Sequence, residues 1–311
     1  MPTARRLLTT LLGVLALLLV AAALWLPYSP VLRAGKEPSP PPYDVPPAVA
    51  GLRLHVFQTG MNRMSSLLVG EQRPWRPVPA FVLEHPRHGL LVFDAGLPAA
   101  VASEGESALG IPTRWVLESR SVAGRSLHEQ MREAGLAPED VRTVVLSHLH
   151  EDHLGSLAAF TNARVLGGPG TSANRSDLHR QEVECRADAA VAPFDAGMDL
   201  FGDGGGVTLL AGGGHSPEDL MALVSLPSGP VLLAGDAVVH RDWLESDDVQ
   251  RIASDPDRAA DVRNQVRAFL RARPDVVLAP GHDTSMFPHD REDIVLHHVE
   301  WFDAKAWPLP E

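Results

Sequence analysis

His148-Leu149-His150-Glu151-Asp152-His153 puts three imidazoles and the carboxylate of Asp152 within six positions, directly after the apolar run 141–147. Imidazole nitrogen and carboxylate oxygen suit zinc and similar borderline cations, and this spacing at a strand exit can divide its ligands between two adjacent ions. One motif cannot complete two coordination shells. The remaining ligands must lie downstream.

Three residues have the right setting. His215 follows Gly212-Gly213-Gly214, Asp236 ends Leu232-Leu233-Ala234-Gly235-Asp236, and His282 closes Val277-Leu278-Ala279-Pro280-Gly281-His282. Glycine ahead of each lets backbone approach a crowded centre. A single His or Asp at a strand end is more often a turn or capping residue. Three of them, all at strand exits and all supplying what the first cluster lacks, reverse that prior. His55, His85, His88, His128, His179, His289, His297 and His298 have no such context, and the His297-His298 pair reads as a helix surface. Cys185 is the only cysteine, so neither an internal disulfide nor a thiolate metal site is available, and it reads as a small filler residue.

The elements that must position these residues alternate in type, as in an α/β domain. Strands are expected over 52–58, 80–84, 90–94, 141–147, 207–211, 220–226, 231–234 and 276–279, with 161–206 largely irregular. Ser126-Leu127-His128-Glu129 has the form of a capping box, opening a helix through Glu133 that Gly135 can end. A second helix is expected over 258–273, where Val262, Val266, Phe269 and Leu270 recur at helical spacing ahead of Pro274.

With 311 residues, 45% of them hydrophobic and 21% charged, the chain has the material for one large globular domain or two small ones. A formal charge of -12 argues against a nucleic-acid partner and leaves a small-molecule substrate as the expected one. Residues 1–26 read as a transmembrane anchor or signal segment: Leu7 to Leu26 carries no charge and follows Arg5-Arg6. An uncleaved anchor with the domain outside the cytoplasm is favoured, a cleaved signal and a secreted or periplasmic protein being the alternative. Residues 27–50 are Pro-rich and are expected as an extended spacer, ahead of a single domain over 51–311.

The order H-x-H-x-D-H, a lone His after a Gly-rich turn, Gly-Asp and Pro-Gly-His resembles the metallo-β-lactamase superfamily over roughly residues 51 to 290. Val92-Phe93-Asp94-Ala95-Gly96 is similar to the family's upstream Asp-Gly turn, whose carboxylate supports a ligating His. The resemblance implies an αββα sandwich and two Zn2+, or other divalent ions. It implies His148, His150 and His215 on the first ion, Asp152, His153 and His282 on the second, and Asp236 bridging. It further implies hydrolysis by a metal-bridging hydroxide, with Asp152 as the catalytic proton carrier. Asp236, standing where some penicillin-degrading members have Cys, resembles the branches that act on lactones, thioesters and phosphodiesters. Spacing between ligand blocks is similar to that of the N-acyl-homoserine lactonases. Two features depart from that branch. The Tyr that polarises the lactone after the bridging Asp is replaced by Ala237-Val238-Val239-His240, the only tyrosines being Tyr28 and Tyr43, and Asp219 stands where many relatives have His. Met61-Asn62-Arg63-Met64, Trp75 and Trp243 are the candidate substrate-loop residues, with ordinary packing as the alternative. A lactone or other ester is the expected substrate. A β-lactam, thioester or phosphodiester hydrolase of the same fold, or a non-catalytic metal-stabilised binding domain, is the alternative.

Overall fold

A computed structural model describes residues 13–15, 30–65, 74–111, 113–169, 180–182, 191–250, 253–287 and 298–301. Its strands are β1 (Pro30–Leu32), β2 (Arg53–Met64), β3 (Arg76–His85), β4 (Gly89–Phe93), β5 (Leu117–Arg120), β6 (Val141–Val145), β7 (Arg164–Gly167) and β8 (Arg180–Glu182), then β9 (Gly197–Asp199), β10 (Val207–Ala211), β11 (Leu220–Leu226), β12 (Gly229–Gly235), β13 (Asp248–Gln250), β14 (Val277–Pro280) and β15 (His298–Trp301). The two longer helices are α1 (Leu127–Glu133) and α2 (Pro256–Ala272).

One sheet runs β15-β2-β3-β4-β6-β7-β8, with β5 also paired to β2; the other runs β14-β12-β11-β10-β9. Period-two alternation assigns each strand's faces. Leu54, Val56, Phe81, Leu83, Leu91, Phe93 and Val145 of the first sheet meet Leu209, Ala222, Val224, Val231, Leu233 and Ala279 of the second in one dry layer. Facing the other way, Ala80, Val82, Val92 and Val144 pack on Leu127 and Met131 of α1. Leu210, Met221, Leu223, Leu232 and Leu278 pack on Val262, Val266 and Phe269 of α2. The result is helix, sheet, sheet, helix.

Helix starts follow local chemistry. Ser126 and Glu129 form the reciprocal capping box at α1. Asp255 caps α2 by accepting from the backbone N–H groups of Asp257 and Arg258, with Pro256 at the first turn.

Four expectations change. No helix among the described residues is long and apolar enough to cross a membrane, which corrects the reading of a membrane-anchored protein with its domain outside the cytoplasm. Of the run Leu7 to Leu26 only 13–15 is described; the rest lies outside the described residues, as do His179, His289, His297 and Cys185. The Pro-rich segment does not stand away as a free spacer: β1 pairs with β13, and Tyr43 is buried among Phe194, Phe269 and other core side chains. His298 lies on β15, opposite Phe57, and not on a helix. Finally, 161–206 contains β7, β8 and β9, whose short length and mixed polarity hide the strand signal.

Candidate metal centre

Parallel pairing sets the site's position. β4 and β6 run parallel with Phe93 opposite Val145, so their carboxyl ends deliver Asp94 and Ser147-His148 side by side. In the second sheet β12 and β14 run parallel with Gly235 opposite Pro280, delivering Asp236 beside Gly281-His282. The β10–β11 connection supplies His215, its base closed by the Gly212 N–H donating to Asp219 O. Gly281 is required here, because a Cβ would lie 2.1 Å from Asp236 Oδ1.

All seven residues expected at the site converge. His148, His150, His215 and Asp236 form one group, and Asp152, His153 and His282 another, the donor atoms of each lying within 4.8 Å of one another. His150 Nδ1 lies 2.9 Å from His148 Nε2 and 3.0 Å from His215 Nε2. Asp236 stands between the groups. Its Oδ2 faces His215 Nε2 at 3.5 Å and His148 Nε2 at 4.0 Å, while its Oδ1 faces His282 Nε2 at 3.3 Å and His153 Nε2 at 3.7 Å. Most of these side chains are buried, but His150 is exposed and His215 partly so, which leaves one side of the centre open.

The outward nitrogens are held from behind. His153 Nδ1 lies 2.9 Å from Asp94 Oδ2, and Ser147 donates its N–H to Oδ1 and its hydroxyl to Oδ2 of the same carboxylate. Ser147 Oγ also lies 3.0 Å from His148 Nδ1, and His282 Nδ1 lies 2.9 Å from Pro77 O. Such partners fix ring orientation and turn Nε2 inward. Asp94 does this from φ 62, the only positive φ of a non-glycine among the described residues.

Proton affinities divide the site. Burial first, then the imidazoles of His153 and His150, hold His148 well below its ordinary pKa. Burial likewise pushes His215 down to about 4. At His153 burial is outweighed by Asp94, Asp152 and Asp236, which raise it to about 10; burial at His282 is outweighed by Asp236 and Asp152, and its pKa rises too. Asp236, opposed by burial but surrounded by His282, His153 and His215, stays well below the carboxylate range. The carboxylates therefore demand positive charge that protonated imidazole supplies when nothing else does. Together with His153 Nε2 and Asp236 Oδ1, both buried without an aligned hydrogen-bond partner among the described residues, this donor set fits divalent cations.

Residues outside the motif also act. Asn62 donates its Nδ2 to Asp152 Oδ2 at 2.8 Å, and its own Oδ1 accepts from Ser119 Oγ at 2.7 Å. Sequence reasoning placed Asn62 in a substrate loop; it sits inside β2, and nothing in its neighbours' types signals a contact 90 residues away. The guanidinium groups of Arg63 and Arg120 both lie over the Trp75 ring, 4.4 and 4.3 Å from its centroid. Trp243 does line a cavity beside His215 and Asp236, with His240 against its ring at 4.9 Å between centroids. Burial first, then Arg76, pushes His240 down to about 4. Asp219 accepts from the N–H and hydroxyl of Ser216 and tightens the His215 turn.

The chain belongs to the metallo-β-lactamase superfamily, whose family model matches residues 73–282. By that membership it is a metal-dependent hydrolase. It is 31% identical over 229 residues to the N-acyl homoserine lactonase AttM of Azorhizobium caulinodans, covering 68% of this chain and 84% of that one. It is 28% identical over 214 residues to the N-acyl homoserine lactonase AiiA of Bacillus thuringiensis subsp. kurstaki, covering 67% and 81%. A solved N-acyl homoserine lactone hydrolase with the product N-hexanoyl-L-homoserine at its catalytic metal centre shares the fold, with a TM-score of 0.59 at 22% identity, covering 78% of this chain and 95% of that one.

Proposed function

We propose that this centre hydrolyses a small carboxylic ester, with a lactone as the first choice, using two divalent cations, zinc by preference. His148, His150 and His215 would hold one, Asp152, His153 and His282 the other, and Asp236 would serve both. The observation that carries this reading is the division of Asp236, one oxygen toward each group of imidazoles. When bound, such a pair of ions lowers the pKa of a shared water toward neutrality and polarises a carbonyl.

The chain's own residues do the rest. A carbonyl carbon reaches the centre from the open side at His150 and His215. Asp152 Oδ2 is engaged by Asn62 and faces His282 at 3.4 Å, so Oδ1 is the oxygen left to take up a proton and return it to the leaving alkoxide. The lactonase relatives favour a lactone over other esters.

Elemental analysis of purified protein, with turnover of a panel of lactones, aryl esters, thioesters and β-lactams, tests the reading. Stoichiometric metal and lactone or ester turnover, abolished in His150→Ala and Asp236→Ala, are expected. Unchanged turnover in both variants, or a metal-free active protein, overturns it.

A further inference from the structure

A small cavity, of about 20 Å³, begins at His215 and Asp236 and reaches α2 at Ala259 and Arg263. Its walls are Asp248 and the apolar Ala237, Val238, Trp243, Val249, Ala253 and Ala259. The apolar part suits the hydrocarbon of a substrate whose carbonyl lies at the centre.

Arg263 belongs to the same lining and is 4% exposed. It is held by the N-terminal segment: its Nη2 donates to Arg33 O at 2.7 Å and its Nη1 to Asp248 O at 3.3 Å, while Nε has no partner among the described residues. Residues 30–36 are tied down along their whole length. Val31 pairs with Val249 of the cavity wall, and the Arg33 N–H donates to Asp247 O. Asn264 donates to Ala34 O and Lys36 O, and Asp261 accepts from the Lys36 N–H. Gly35, at φ +66, lies so close that a Cβ would meet the Ala260 carbonyl group at 2.7 Å. The strap precedes the part of the chain that the family model matches, residues 73–282.

We propose that residues 30–36 form a strap that closes the far end of the substrate cavity and, through Arg263, limits substrates to a short apolar group. The inference rests on the reading of the centre as an ester or lactone hydrolase. An alkyl tail gains affinity with each methylene buried, roughly fourfold. That gain stops where the tail reaches a buried guanidinium donor that hydrocarbon cannot satisfy.

The test is the affinity of the zinc-loaded full chain for straight-chain carboxylates from acetate to dodecanoate by calorimetry, beside hydrolysis of lactones bearing the same tails. Gly35→Val is the strap-lifting variant. Asn264→Ala, which releases two strap carbonyls without touching the cavity lining, is the milder one should the first not fold. The parent is expected to show rising affinity that levels off at a short chain. In the variants the rise continues to longer chains, with roughly tenfold or more gained in affinity and in kcat/KM for the dodecanoyl member. Identical chain-length profiles in parent and variants overturn the proposal, as does a parent whose affinity climbs without a break. A shifted break in binding with no turnover of any lactone or ester sustains the strap and overturns the hydrolase reading; neither binding nor turnover overturns both.

Discussion

Asn62 Nδ2 and Asp152 Oδ2 lie 2.8 Å apart, joining strand β2 of the first sheet to the motif loop across 90 residues of chain. Both side chains are buried, and Ser119 fixes the Asn62 amide so that its nitrogen faces the carboxylate. Asn62→Ala is expected to lower kcat by about tenfold to a hundredfold with metal content kept, the usual scale for an outer partner of a metal ligand. Asn62→Asp should do worse, since it sets a second carboxylate against Asp152. Steady-state kinetics with parallel metal analysis checks both, and kcat unchanged in Asn62→Ala counts against the role given to this contact.

Metal uptake should release protons. With His153 raised to about 10, the metal-free protein carries that proton at about pH 8, and ligation requires the neutral ring. His148 and His215, both lowered, have none to give there. Calorimetry in buffers of different ionisation enthalpy is expected to read at least one proton per protein, falling away as pH passes about 10. The sign for stability follows. A histidine whose folded pKa is raised stabilises the metal-free fold fully below its unfolded pKa of about 6.5 and loses that contribution as pH rises through about 10.

Gly281→Ala drives a methyl to 2.1 Å from Asp236 Oδ1 and 2.8 Å from Gly235 O. Overpacking of this kind destabilises by about 1–3 kcal/mol. Here it also displaces the one carboxylate that faces both imidazole groups. Lower Tm together with metal content well below that of the parent is expected in a thermal melt and elemental analysis; full metal content would sink the assignment of Asp236 to both sites.

Chelation should separate the two sheets energetically. His148, His150, Asp152 and His153 come from the first sheet and His215, Asp236 and His282 from the second, so bound metal holds one to the other. With free metal at a hundred times its Kd the stabilisation is about 2.7 kcal/mol. A chelator is therefore expected to lower Tm by several degrees, restored by added zinc, as read by calorimetric scanning.

Phe269→Ala tests the outer layer independently. Phe269 is fully buried on α2, with its ring 5.3 Å from that of Phe194 and 6.1 Å from that of Tyr43. Truncation is expected to remove about 3–5 kcal/mol, measured by denaturant unfolding of metal-loaded protein.

Much of this was legible beforehand because the chemistry is concentrated. His148 to His153 sit in six consecutive positions, and His215, Asp236 and His282 each follow an apolar run that betrays a strand. The capping box at Ser126 and the helical spacing of Val262, Val266 and Phe269 are local signals, and local signals survive in one dimension. What escaped is long-range. Asn62 gives no sign of Asp152, and the Pro-rich stretch reads as a spacer because its partners, Arg263 and Asn264 on the carbonyls of Arg33 and Ala34 and Arg273 on that of Tyr43, lie more than 200 residues away. Trp75 was read for its type, whereas its two arginine neighbours come from separate strands.

Asp94 combines the one left-handed non-glycine backbone among the described residues with a carboxylate serving Ser147 twice and His153 once. Left-handed backbone at such a residue costs about 1–2 kcal/mol, and glycine would relieve it. A search for more stable variants that scored backbone ease alone would therefore choose Asp94→Gly, and would discard the anchor that orients His153 and Ser147. Thermostability and function pull in opposite directions at this position, which marks it as one to hold fixed in any engineering of the chain.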